Sequence, residues 1–181
     1  MTFGGTVAIA RPQLRIPSGL RSLTRSEWLL LITLALSWNG TGNVWLTQLS
    51  WSLFAYVSGP NFAAYHQAWW IGVQLFTLPL AILVYVCAIA QLRWRPAGVS
   101  AWMAWVGVGM RTAMNILTVV WFGAGQARLT QAVLPDGSLD PFYVQLVQTQ
   151  WVRVALVTAF ALLELWMTIR WVRSLRDSTS G

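Results

Sequence analysis

The stretch SWNGTGNVWLTQ, residues 37–48, carries the turn signals Asn-Gly and Gly-Asn inside a run with no charged residue from Trp28 to Leu92. It is either a loop between two short apolar segments or the polar face of one long helix. Length decides. Trp28 to Trp38 covers only about 16 Å at helical rise, too little to cross a bilayer core of about 30 Å. A loop at 39–43 would leave both flanks stranded. A continuous helix over about 27–56 avoids this, and it places Asn39, Asn43, Thr47 and Ser50 in one stripe. In lipid that stripe must face protein or trapped water, because unsatisfied polar groups cost several kcal/mol there. Gly40 and Gly42 let a neighbouring helix approach closely.

Composition sets the class around this helix. Of 181 residues, 56% are hydrophobic and 9% charged, against about 25% charged in ordinary soluble domains. The chain reads as one integral membrane domain. Its net charge of +7 does not indicate nucleic acid, because the basic residues gather at helix ends. Every one of them is arginine, which points to a GC-rich coding sequence and so to a bacterium. The lone Cys87 excludes an internal disulfide and a Cys-x-x-Cys redox pair. No signal peptide is legible at the N-terminus.

Further helices are expected over about 60–92, 101–125 and 141–174, each meeting the roughly 20 residues that a span requires. Pro60 suits a first helical turn, and Asp140-Pro141 reads as an N-cap followed by proline at the first helical position. Pro79 should bend the second helix. The expected architecture is all-α, a transmembrane four-helix bundle in residues 27–174. A segment 1–26 precedes it and a mobile tail, 175–181, follows.

Arginine sets the orientation. With both termini cytoplasmic, the inner side holds Arg11, Arg15, Arg21, Arg25, Arg93, Arg95, Arg170, Arg173 and Arg176, and the outer loops hold Arg128 alone. This is a positive-inside pattern for the bacterial inner membrane. Most of the 13 tryptophans fit aromatic belts, with Trp28, Trp94, Trp102 and Trp171 inside and Trp51, Trp69, Trp70 and Trp151 outside.

Ionisable groups at membrane depth are functional candidates by default. Arg111 and Glu164 differ in depth by about 5 Å, and an intramembrane ion pair between them is expected. An outer cluster of Asn43, Gln48, His66 and Arg153 forms a candidate ligand pocket. There the amides, or an anionic oxygen of a ligand, satisfy the arginine, and Trp45, Tyr65 and Trp69 supply apolar walls. His66 lacks Cys, Asp or Glu neighbours, so no metal or cofactor is expected. Hydrolase and phosphate-loop motifs are missing. Met103, Met110 and Met114 read as core packing.

Trp45-x-x-Gln48, Phe54, Phe62-x-x-Tyr65-His66, Arg95-Pro96 and Trp151-x-Arg153 together resemble an uncharacterised family of bacterial four-helix integral membrane proteins. That family is loosely similar to the anthrone-oxygenase-like membrane proteins. The resemblance covers roughly residues 28–172 and implies a four-helix fold with a small-ligand pocket. A second histidine that often follows the first by three residues in the family is replaced here by Trp69, so a two-histidine site does not carry over.

Three functions compete. The preferred one is a membrane binding or scaffold protein that packs with other membrane proteins, or with copies of itself, or holds a small apolar ligand. The second is a metal-independent enzyme acting on a lipophilic aromatic substrate. The third is a small transporter subunit, disfavoured because no inverted repeat is visible.

Overall fold

The structure, a computed structural model, describes residues 23–57 and 59–179. The expected N-terminal segment 1–26 lies outside the described residues up to position 22. The elements are α1 (Arg25–Leu53), a 3-10 turn (Phe54–Tyr56), α2 (Gly59–Arg93), α3 (Ala101–Ile116), a π-helical segment (Leu117–Gly123), α4 (Ala124–Arg128) and α5 (Pro141–Thr179). The chain is all-α, and α3 runs on through the π segment into α4. An isolated bridge, Val133 to Leu139, ties the loop before α5.

Residues 37–48 are helical throughout. Thr24 and Glu27 start α1 with a reciprocal capping box, the Thr24 hydroxyl accepting from the Glu27 N–H and the Glu27 carboxylate from the Thr24 N–H. Asp140 Oδ1 accepts from the N–H groups of Phe142 and Tyr143 at 2.7 and 3.3 Å, and so caps α5 as its sequence suggests. Helix α5 continues through Thr179, so helix occupies much of 175–181, where a mobile tail is expected from sequence.

Glu27 also takes the Trp171 Nε1–H at 3.0 Å, tying the start of α1 to the far end of α5. The Thr24 backbone N–H, with help from the Thr24 hydroxyl and this indole, holds the Glu27 carboxyl below its ordinary range. A depressed folded-state value stabilises the fold above the unfolded-state titration, and that contribution is lost as pH falls through the folded value. Glu27→Gln should therefore lower the melting temperature at neutral pH. The gap to wild type should close in acid.

The long helices close a ring in which α1 touches α2 and α5, and α3 touches the same two. Helix α5 runs antiparallel to α1, where Glu27 meets Trp171 and Thr41 meets Val157, and to α3 with its π extension, where Gly107 faces Phe160 and Trp121 meets Thr149. At the Arg93 end, Gly98 adopts φ 81°. A Cβ there would lie 2.8 Å from Ser174 Cβ, so glycine lets the α2–α3 connection sit directly on α5. At the other end, Trp51, Phe54, Phe62, Phe122, Tyr143 and Leu146 form the largest apolar core.

Three helices, Gly59–Arg93, Ala101–Arg128 and Pro141–Asp177, are long and apolar enough to cross a membrane. Helix α1, at 29 residues, has the length but is diluted by its polar stretch. The face that α1 buries is Thr33, Ser37, Thr41, Val44, Gln48 and Trp51. Of the stripe expected to point inward, Ser50 accepts from Trp69 Nε1 of α2 at 3.2 Å and Thr47 and Asn43 are half-buried, whereas Asn39 is exposed. The reason is local bonding. Asn43 Nδ2 donates to Asn39 Oδ1, whereas Thr33 and Thr41 return their hydroxyls to the carbonyls of Leu29 and Ser37 and pack as small, satisfied residues.

Candidate functional site

A cavity of about 500 Å³ lies between α1, α2 and the α3–π segment, with Arg153 of α5 at its back. This volume is within the range of small-molecule sites. Its walls are apolar and aromatic: Val44, Trp51, Trp69, Val84, Met114 and Phe122. Leu78, Ile82 and Val119 line it while remaining exposed on the outside of the molecule, so it opens sideways between α2 and the π segment.

The π segment shapes this space. Widening a helical turn by one residue displaces the side chains that follow, and such bulges often sit at functional sites. Here it presents Thr118, Val119, Phe122 and Gly123 to the cavity. A Cβ at Gly123 would lie 3.3 Å from Thr118 O, so glycine fits the tight inner edge of the wide turn. Phe122, turned inward, lies beneath the Arg153 guanidinium at 4.6 Å from its ring centroid.

Of the four residues expected in an outer pocket, only Arg153 lines the cavity. His66 reaches it through one intermediary: its Nε2–H donates to Gln126 Oε1, and Gln126 is a wall residue. The imidazole itself is stacked between Phe62 and Trp69, with the edge of Phe54 against it. Gln48 turns the other way and donates to Val147 O on α5 at 3.5 Å. Asn43 remains with Asn39. The four side chains thus go to different partners.

Arg111 and Glu164 do not pair. Arg111 Nη2 donates to Ala81 O at 3.2 Å, and its guanidinium lies 5.5 Å from the Phe160 ring centroid. Glu164, one turn beyond Phe160, accepts from Gln91 Nε2 at 3.0 Å. The Phe160 ring thus takes the arginine before it can reach the carboxylate. Gln91, neutral and inconspicuous in the sequence, is the true partner.

Arg111 also lines the cavity, so two arginines more than nine-tenths buried share one space. No Asp or Glu lines it. Four side-chain donors on its walls lack a partner: Trp51 Nε1, Gln126 Nε2, Arg111 Nε and Arg153 Nε. Sequence reasoning missed Trp51 and Gln126 as polar wall residues. Gln126 was legible as an uncharged polar residue near the end of an apolar helix, whereas nothing marks the orientation of a tryptophan N–H. Among the described residues, no three His, Cys, Asp or Glu side chains come together as a metal set would require. No protein-family model, curated protein or solved structure matches the chain.

Proposed function

We propose that the chain is an integral membrane protein of four spanning helices that holds a small lipophilic ligand in the lateral cavity. Both termini lie in the cytoplasm, and the host membrane is a bacterial inner membrane. The observation that carries this reading is the cavity itself. It is apolar-walled, of ligand size, furnished with buried polar groups, and open onto a surface of exposed aliphatic side chains (Leu75, Leu78, Ile82, Leu83, Val86). A ligand dissolved in lipid reaches such an opening without crossing water. The arginine distribution supports the orientation.

Topology is tested by fusing a reporter active only in the cytoplasm. It should work at both termini and fail when inserted beside Pro135; activity at Pro135 overturns the arrangement. Occupancy is tested by gentle extraction and mass analysis of the lipophilic material that copurifies. Gly40 lines the cavity and has open space where a Cβ would stand, so Gly40→Trp fills the site. A compound retained by wild type and lost from Gly40→Trp supports ligand binding, and equal retention refutes it.

A further inference from the structure

The unpartnered donors are not scattered. Phe122 touches both Trp51, at 5.6 Å between ring centroids, and the Arg153 guanidinium, and Gln126 follows it by one helical turn. Trp51, Gln126 and Arg153, each more than nine-tenths buried, therefore stand together at one end of the cavity, with the unpartnered Trp51 Nε1, Gln126 Nε2 and Arg153 Nε set into its wall. The bond from His66 occupies the Gln126 carbonyl oxygen and leaves its amide N–H groups over. Gln150 Oε1 accepts from Arg153 Nη1 at 3.0 Å but cancels no charge.

What remains at this end is a guanidinium charge that no carboxylate on the cavity wall offsets. An anionic oxygen offsets that charge and accepts from the guanidinium without bringing further donors, as a hydroxyl or ammonium would. We infer that the cavity binds an amphiphile with a carboxylate-type anionic head, a long-chain carboxylic acid. Its head sits among Trp51, Gln126 and Arg153, and its chain leaves past Val119 and Leu78 through the lateral opening. The inference rests on the proposed ligand-binding reading and adds the chemistry of the head. Trp51 and Gln126 lie within a few residues of the ends of α1 and α4, so the head takes the outer interface and the chain takes the lipid side, as a membrane amphiphile does. Arg111 is engaged differently, its face on Phe160 and Nη2 on Ala81 O, deeper in the molecule.

The test is isothermal titration of the full chain in neutral maltoside micelles with dodecanoate and with dodecanol, which share a chain and differ in head. Dodecanoate should bind at least about 10-fold tighter, as expected for a charge-assisted bond. Arg153→Gln should remove that preference while dodecanol binding stays, and Arg153→Lys should restore part of it. Equal affinity for the two probes overturns the anionic head and leaves the cavity reading standing. Absence of binding by either overturns the cavity reading as well. Loss of the preference in Arg111→Gln but not Arg153→Gln overturns the assignment to the outer end. Added phosphatidylglycerol separates the two sources of the head: competition assigns it to an anionic phospholipid, and indifference assigns it to the free acid.

Discussion

Replacing Phe54 with alanine should lower stability by about 3–5 kcal/mol, among the largest effects of any single truncation in this chain. Phe54 stands in the 3-10 turn that ends the first hairpin arm and is 0% exposed. Its ring meets Phe62, Tyr65, His66 and Trp69 edge-on, with centroids 5.2 to 5.9 Å apart. Truncation leaves a cavity beneath four rings that are fixed by their own helix and cannot collapse into it. The site is at the end of the helices, where burial from water still drives packing, unlike helix–helix contacts within lipid. Phe54→Leu, which keeps most of the volume, should cost less than about 1.5 kcal/mol. Denaturant titration in mixed micelles measures both, and near-equal losses would show that the ring cluster is not what holds the turn.

The second large effect concerns Glu164. Gln91→Leu strips the buried carboxyl of its one hydrogen-bonding side chain, and Glu164→Leu orphans the Gln91 amide; each should cost about 1–3 kcal/mol. The double leucine variant should recover most of one loss, giving a coupling of about 1–3 kcal/mol. Arg111→Met combined with Glu164→Leu should be additive within about 0.5 kcal/mol. Strong coupling in the arginine cycle together with none in the glutamine cycle would restore the ion pair that the geometry replaces.

That reversal shows where sequence reasoning reaches and where it stops. Depth along a helix is legible, since each residue adds a fixed rise, and Arg111 and Glu164 were placed at compatible depths by counting. Direction around the axis is not legible to the same precision. Phe160 stands between the two side chains, and no residue count reveals it. The continuity of α1 was legible because an 11-residue piece is too short to span. Polarity alone does not mark its buried face: Thr47 and Ser50 of the polar stripe turn towards α2 and the cavity, and Asn39 does not. In a helix, threonine and serine satisfy themselves on their own backbone and pack like alanine, whereas Asn39 and the half-buried Asn43 bond to each other away from the core.

Local chemistry was easier to read than cavity shape. Asp140-Pro141 announces the start of α5, and Thr24-x-x-Glu27 carries an equally plain capping signature for α1. The π segment left no such mark. One extra residue in a turn does not alter the apolar run from Leu117 to Gly123, yet it sets Phe122 under Arg153 and opens the cavity. Arg153 draws notice in the sequence as a charge within an apolar helix, but Trp51 and Gln126 do not, because they differ from ordinary wall residues only in an unpaired N–H.

The lipophilic ligand proposed here occupies the space between α1, α2 and the π segment. Cryo-electron microscopy of the full chain, gently extracted and held in a lipid nanodisc, tests it most directly. Elongated non-protein density is expected, with one end among Trp51, Gln126 and Arg153 and the other leaving between Leu78 and Val119 towards the lipid belt. A cavity collapsed by Trp69 and Phe122, or one filled only by discrete water peaks bonded to Arg153, would contradict it.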